Sequence, residues 1–377
     1  MIESPGLLLT LLAFALVIGP LVFVHEMGHY LAGRMFGVKA EAFSIGFGRE
    51  IAGWTDKRGT RWKLGWLPLG GYVRFAGDMN PASQPDAAWL ALPAEERNRT
   101  FQAKRLWQRA IIVAAGPVVN FVLAILILAG FALAYGEDRT PATVGAVVPG
   151  SAAQAIGLQA GDRIVSLGGE RMDTFGDMLV FVNPRAGERV EVVAERNGAT
   201  FARTATLKRQ VMRDRFGNTE SSGLLGISPG PSKLVSVTPW RAPVVAARQV
   251  SDIVFLTISK LRQLVIGQAP VKELHGPVGM ARISGQFLSL GVPALVYLVA
   301  LVSINLGFIN LLPIPVFDGG HLLFYAIEAV RRRPVEPRVQ EWAFRGGLAA
   351  ILALMLVVTF NDLGSAGLWK SLAGLIG

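Results

Sequence analysis

The chain has 377 residues, of which 51% are hydrophobic and only 17% charged, whereas soluble domains carry about 25% charge; its mean hydropathy is +0.43. This composition excludes an ordinary soluble globule and gives part of the length to membrane segments. The formal net charge is +10, yet the basic residues flank apolar runs and form no basic domain, which argues against a nucleic-acid partner. Cysteine is absent and the histidines are four, His25, His29, His275 and His321. Disulfides, thiolate zinc sites and a cysteine nucleophile are therefore excluded, and metal or acid–base chemistry must draw on those few rings.

The first apolar run, Leu7 to Val24, is close to the length of a membrane span. Met1 to Ser4 carries Glu3 and no Lys or Arg, so the run reads as a retained span and not as a cleaved signal peptide. Pro20 near its end is expected to bend or loosen the helix. The run leads directly into His25-Glu26-Met27-Gly28-His29. A helix begun at Leu7 places His25 roughly 27 Å along its axis, at the far edge of a hydrocarbon core about 30 Å thick. Gly33 to Arg109 is mostly polar or amphipathic, and Phe43 to Gly48 and Trp62 to Phe75 mix aromatics, β-branched residues and glycines. They predict strands joined by tight turns. Leu69-Gly70-Gly71-Tyr72-Val73 suits either a hairpin edge at the membrane surface or ordinary surface strands.

A second span is predicted over Ile111 to Ala134, opening with Ala115-Gly116-Pro117 and Asn120. From Thr140 to Arg209, short β-rich runs alternate with turns at Pro149-Gly150, Gly161-Asp162 and Asn197-Gly198, the pattern of a small soluble domain. Residues 210–240 read as a linker or a closing strand. Residues 241–266 carry charges every few positions, which suits an amphipathic helix in the interface better than a span. A third span covers Pro293 to Leu312, a shorter helix Gly319 to Val330, and a fourth span Gly346 to Phe360. The expected fold is a polytopic α-helical membrane protein of about four transmembrane helices. It has a membrane-associated β-hairpin region and an inserted extracytoplasmic domain. Its divisions are 1–135, 140–209, 210–292 and 293–377.

Orientation follows the basic short connections. Arg34 to Arg109 is rich in Lys and Arg, as is the segment from Arg331 to Arg345, whereas the residues before Leu7 have neither. Four spans with both termini outside satisfy this pattern. They put the β-rich domain outside and the histidine motif near the cytoplasmic side.

His25 and His29, four residues apart, share one helix face and can reach a single zinc ion, with Glu26 placed to accept a proton from water polarised by the metal. Three ionisable groups at the end of a span are costly unless functional or paired. A catalytic zinc site usually has a third protein ligand. The candidates are His275, His321 and Asp318, which follows the Pro313/Pro315 break and precedes Gly319-Gly320. Asp318 is also a candidate N-cap for the following short helix.

These motifs resemble the site-2 protease family of intramembrane zinc metalloproteases, in particular the bacterial regulator-of-sigma-E branch with an external PDZ domain. The resemblance rests on His25 to His29, on Gly116-Pro117-Val118-Val119-Asn120, and on Asn310, Pro313, Pro315, Asp318 and Gly319. It implies one zinc per chain held by His25, His29 and Asp318, with Glu26 as general base. It further implies Asn305 and Asn310 as residues that orient substrate, through paired donor and acceptor groups, or alternatively that bond one span to another. Arg61 to Phe75, including Gly70, Gly71 and Tyr72, resembles the family's membrane-associated hairpin that pairs with extended substrate. Residues 140 to 209 resemble a PDZ domain through Pro149-Gly150-Ser151, Gly157-Leu158 and Gly161-Asp162, although there is room for only one clear copy. His275 stands where the family usually has serine and reads as a local surface residue, and His321 reads as a neighbour of the metal site.

The implied activity is endoproteolysis of single-span membrane proteins, such as a trimmed anti-sigma factor or remnant signal peptides, in the bacterial inner membrane. A carboxy-terminal peptide is a candidate PDZ ligand and the lipid bilayer a further partner. The alternatives are a membrane metal transporter and a non-catalytic scaffold presenting the PDZ domain.

Overall fold

The computed structural model describes residues 6–77, 93–213, 219–267, 274 and 276–365, so His275 lies outside the described residues. In chain order the first half holds α1 (Leu7–Met35), β1 (Ala40–Thr55), β2 (Arg61–Phe75), α2 (Ala94–Arg97), α3 (Leu106–Tyr135), β3 (Glu137–Asp138), β4 (Val144–Val147), α4 (Ala152–Ala155), β5 (Arg163–Leu167), β6 (Glu170–Arg171) and α5 (Phe175–Val182). The second half holds β7 (Arg189–Arg196), β8 (Ala199–Thr206), β9 (Lys208–Arg213), β10 (Thr219–Leu224), β11 (Ile227–Pro229), β12 (Leu234–Val235), α6 (Ala242–Val265), α7 (Pro277–Ser289), α8 (Val292–Leu311), α9 (Asp318–Arg331) and α10 (Pro337–Ser365). The chain divides into one unit of Met1–Ile127 with Gly276–Phe360 and another of Leu128–His275 with Asn361–Gly377.

In the first unit, α1 does not end with the apolar run at Val24. Gly28 and Gly33 lie within the helix without ending it, so it carries the histidine motif onward to Met35, with Pro20 inside it, and the chain turns at Gly37, whose φ is +71°. Val17 and Leu21 of α1 are fully buried against Leu295 and Leu298 of α8. Leu8, Leu12 and Leu16 are exposed, as apolar residues facing lipid would be.

β1 and β2 form a more folded structure than a plain hairpin. Phe43 pairs with both Val73 and Trp62, Ile45 with both Gly71 and Leu64, and Trp54 with Trp62. Each strand therefore bends back, and the segments lie in the order 71–75, 40–47, 61–65, 50–55. The fold is possible because Gly46 and Gly65 face each other at the bend. A Cβ on Gly65 would stand 2.7 Å from the Gly46 carbonyl carbon. Phe43, Phe75 and Tyr30 of α1 share a core with Phe101 and Ile112 of α3, which seats the Gly71–Phe75 edge against α1.

In the second unit the central sheet runs β6-β5-β7-β8, and β11 pairs antiparallel with β4. Its core is built from Ile164, Leu167, Met178, Val192, Ala194 and Leu207. The boundary expected at Arg209 falls inside β9, and β11, in the stretch read as linker or closing strand, closes on β4. Thr174 caps α5 by accepting from the Asp177 backbone N–H, and the Asp177 carboxylate accepts from Thr174 N–H in return, a reciprocal arrangement that satisfies two helix-end donors.

Among the described residues, five helices are long and apolar enough to cross a membrane: α1, α3, α6, α8 and residues Pro337–Gly364 of α10. The chain is a membrane protein. The fifth candidate is α6, whose most apolar window averages a hydropathy of only 1.2, against 2.0 to 2.8 for the others.

Asp162, 1% exposed, receives two hydrogen bonds from Arg196, at 2.7 and 2.8 Å, and one from the Gln159 N–H at 2.8 Å. The Arg196 bonds hold the Asp162 carboxyl below its ordinary value. Stability from this pair is therefore present above the unfolded-state value of about 4 and is lost as pH falls through the lower native value. Asp162→Ala is expected to destabilise this unit near neutral pH by removing the acceptor of all three bonds. Hydrogen exchange of the β5 and β7 amides should show that deficit in full near neutrality and a smaller one in acid; a deficit independent of pH would refute the account.

Candidate metal centre

Helix periodicity places His25 and His29 one turn apart on α1, and a long-range connection brings Asp318 to them. α8 ends at Leu311, and the turn Leu312 to Phe317 reverses the chain through Ile314 N–H to Leu312 C=O at 2.7 Å and Phe317 N–H to Ile314 C=O at 3.1 Å. Val316 sits at φ +105°, a conformation that a β-branched residue adopts only when its surroundings enforce it. Asp318 then opens α9. Its N-cap is Phe317, with no side-chain cap bond, so the alternative of Asp318 as the N-cap does not hold. A Cβ on Gly319 would lie 2.2 Å from the Leu312 carbonyl oxygen, and one on Gly320 2.5 Å from that of Ile314. Only glycine lets this helix start so tightly under the end of α8. The positive end of the α9 dipole favours the Asp318 charge.

Nε2 of His25 lies 3.2 Å from Nε2 of His29, and Oδ2 of Asp318 lies 3.3 Å from the first and 3.5 Å from the second. Zinc bonds of about 2.0–2.1 Å to tetrahedral ligands give edges of about 3.3–3.4 Å between ligand atoms. The three atoms thus stand at the spacing that one zinc would impose. Asp318 Oδ2 is buried and has no hydrogen-bond donor, an acceptor left open toward a cation. The donor set fits the metal.

Nδ1–H of His29 donates to the Ile112 carbonyl at 2.9 Å, which leaves Nε2 as the free lone pair. Nδ1 of His25 faces the Asn120 side-chain amide at 3.1 Å, and Asn120 is fully buried. Glu26, 9% exposed, meets the backbone N–H of Val73 in β2. A Cβ on Gly71 would stand 2.9 Å from Glu26 Cγ. Gly70, with φ +138°, lies against the Phe47 ring, and Tyr72 stacks on that ring.

Gly116 matters because a Cβ there would lie 2.3 Å from His29 Nε2 and 3.0 Å from His25 Cε1. The backbones approach equally closely at Gly28, where a Cβ would stand 2.5 Å from the Ala115 carbonyl oxygen. Pro117 continues α3 beside Gly307 of α8, where a Cβ would meet the Pro117 carbonyl at 3.1 Å. Pro315 backs onto α10, since a Cβ on Gly347 would lie 2.3 Å from its carbonyl oxygen. Pro313 lies in the turn between α8 and α9.

Asn305 and His321 are not among the residues whose ligand atoms cluster with the trio. Asn305 is half-buried and donates to the Leu301 carbonyl of its own helix at 3.1 Å. His321 lines a small cavity with Pro315, Val316, Phe324 and Gln340. Asn310 is half-buried in the last turn of α8. Four contributors escaped the sequence reading: Ile112 through its carbonyl, Gly28 through its close approach, Ser303, whose hydroxyl donates to the Asn120 carbonyl at 2.8 Å, and Arg109. The last pairs with Glu328 of α9 at 3.1 Å and lies over Tyr325, tying α9 to α3. The spacing of Ser303 and Gly307 was the available signal, a pair of small residues one turn apart in a span.

Peptidase family M50 matches residues 13–354. The chain belongs to that family. Among its relatives, an Agrobacterium fabrum protein provisionally named a zinc metalloprotease is 44% identical, across 93% of this chain and 95% of its own length. Metalloprotease MmpA of Caulobacter vibrioides is 39% identical, across 98% of this chain and 99% of its own. The PDZ domain of an SdrC-like protein from Listeria monocytogenes covers 24% of this chain and 87% of its own at 18% identity and a TM-score of 0.19, a likeness too slight to identify the fold. This M50 peptidase is a zinc metalloprotease.

Gly116→Ala is expected to displace His29 Nε2, because the α3 backbone is already held at Gly28. A shift of about 1 Å at a reacting centre costs on the order of 10²-fold in turnover. Zinc affinity and turnover should both fall while helix content by circular dichroism stays that of the wild type. Unchanged zinc affinity would mean the helices part without disturbing the ring.

Proposed function

We propose that the chain is an intramembrane endopeptidase that cuts single-span membrane proteins, with His25, His29 and Asp318 holding one zinc ion and Glu26 acting as general base. The observation that carries this reading is the 3.2–3.5 Å triangle of Nε2, Nε2 and Oδ2. When bound, zinc would supply a Lewis acid for the scissile carbonyl and the attacking water. Glu26 follows His25 directly, so its carboxylate leaves α1 on an adjacent face, where the Val73 N–H positions it. It takes a proton from water and returns it to the leaving amine. Asn305 and Asn310 offer amide groups for an unwound substrate backbone. A helix in lipid has no backbone group to spare, so substrate must open before cleavage, and strand addition beside Gly70-Gly71-Tyr72 would give the freed groups partners.

The four-span topology has a physical argument in its favour. His25 lies toward the end of α1 and Asp318 just past the end of α8, and the two are in contact. An even number of crossings must therefore separate these helix ends. α3 and α8 supply two, whereas counting α6 makes three and α7, at 13 residues, is too short to restore the parity. α6 is thus assigned to the interface. With the basic segments inside, the β-rich, PDZ-like unit lies outside the bacterial inner membrane and the metal ligands near the cytoplasmic side. That unit would take a substrate's carboxy terminus or hinder access by untrimmed substrates. Trimmed anti-sigma factors and remnant signal peptides are the substrate classes that meet these demands.

Glu26→Gln should retain zinc and lose about 10²–10⁴-fold in cleavage, with uncut single-span proteins accumulating in the membrane proteome. His25→Ala, His29→Ala and Asp318→Ala should each lose zinc. A metal transporter would keep its transport in Glu26→Gln, and full proteolysis in Asp318→Ala would remove the ligand assignment.

The orientation has its own test, made clean by the absence of native cysteine. Cysteines placed at Asn197 and Arg332 should react with an impermeant maleimide from opposite sides, Asn197 from outside. Labelling of both from one side would overturn the four-span arrangement.

A further inference from the structure

His25 and His29 are held differently. Nδ1 of His29 meets a backbone carbonyl, a pure acceptor, so that ring has one neutral tautomer with Nε2 unprotonated. Nδ1 of His25 meets the side-chain amide of Asn120, which presents either a donor or an acceptor. In the structure the amide nitrogen is the nearer atom, at 3.1 Å, and Oδ1 is buried with no donor. If the amide donates, Nδ1 must be the lone-pair nitrogen. The neutral ring then carries its proton on Nε2, whose hydrogen-bond partner is the free Nε2 of His29 at 3.2 Å, with Asp318 Oδ2 3.3 Å away. That arrangement closes one edge of the triangle with a hydrogen bond and leaves Nε2 of His25 without a lone pair for a metal. A half-turn of the amide reverses every role: Oδ1 accepts from Nδ1–H, and Nε2 offers its lone pair.

We infer that Asn120 is a positioning residue whose amide rotates between these two states, its oxygen holding His25 in the metal-binding tautomer. This rests on the reading that His25, His29 and Asp318 hold zinc. The geometry favours a dedicated role over general polarity between helices. Asn120 is fully buried, and its backbone is fixed by the Ser303 hydroxyl at 2.8 Å. The side chain is thereby placed to turn about its own axis while staying beside the ring. An amide serves both the metal-free and the metal-holding arrangements, whereas a carboxylate serves only the second.

The test is the zinc dissociation constant of the full chain in detergent, measured by competition with a chromophoric chelator, independently of activity. Asn120→Asp, which can only accept, should bind zinc at least as tightly as the wild type. Asn120→Leu, with no acceptor, should bind about 10–100-fold more weakly, the usual cost of losing a hydrogen-bond partner behind a metal ligand. Thermal unfolding of the metal-free proteins checks that each variant is folded. Asn120→Ala, which adds no bulk, carries the same expectation should the leucine variant fail that check. Asn120→Asp as weak as Asn120→Leu, or an acceptor-free variant within threefold of the wild type, would overturn the inference. So would the failure of both acceptor-free variants to fold, since Asn120 would then be a packing residue. His25→Ala is the control: if it binds zinc like the wild type, the ligand assignment itself has failed, whatever the Asn120 variants do.

Discussion

Two imidazoles and a carboxylate set among apolar helices would each be costly alone, because a polar group in hydrocarbon keeps its desolvation penalty unless another group answers it. Here they answer one another within 3.5 Å, and the surrounding architecture can be understood as the means of holding them there. His25 and His29 come from one helix and need no tertiary device to share a face. Asp318 arrives from nearly three hundred residues away. Much of the fold's irregularity is spent on that arrival: the stop of α8 at Leu311, the positive φ of Val316, and the two glycines under the helix end.

The second requirement is closeness. α1 and α3 approach at Gly28 and Gly116 to distances that no side chain permits, and α3 meets α8 less tightly at Gly307, where a Cβ would lie 3.1 Å from the Pro117 carbonyl oxygen. In a bilayer, lipid competes equally well for apolar side chains, so helices associate through such backbone contact and through hydrogen bonds. Ser303 to Asn120 is one such bond, and Arg109 to Glu328 adds an ion pair at the far end of α9. The same contacts that assemble the helices therefore align the ligand atoms. Stability and site geometry are one problem here, which is why small residues sit so densely around the trio.

What was legible in the sequence follows from the range of each interaction. The pairing of His25 with His29 is local and periodic, and the motif exposes it. The hairpin's strands were visible because aromatics and glycines alternate there, but the double bend of β1 and β2 was not, since it depends on Gly46 meeting Gly65. Apolarity marked the first span as far as Val24 and the histidine spacing carried its helix to His29, but no pattern in the sequence showed that the helix continues to Met35. The third metal ligand was one of three candidates from residue chemistry alone, and a resemblance selected Asp318. The structure places that carboxylate in the triangle. Ile112 could not have been found at all: it contributes a carbonyl oxygen, which every residue has. The stretch beyond Arg209 was open to two readings, linker or closing strand, for a similar reason. β11 is three residues long, and its membership in the unit is defined by pairing with β4, some eighty residues earlier.

The hairpin edge connects the metal site to the substrate problem. An unpaired strand edge at membrane depth needs cover, and the Gly71–Phe75 segment is seated against α1, with the Val73 N–H on Glu26. Strand residues face outward at every second position, so the next outward backbone group along this edge belongs to Gly71. A side chain there would collide with Val22 Cγ1 and Glu26 Cγ, so glycine is what lets this edge lie close against α1 beside the carboxylate. A peptide paired there would lie alongside the carboxylate, in register with a strand whose own position the carboxylate helps to fix. In the proposed reaction the general base and the substrate's backbone would thus be referenced to the same few atoms of β2. A displacement of that strand would move both together, so the distance between base and scissile bond would vary less than the distance of either from the rest of the protein.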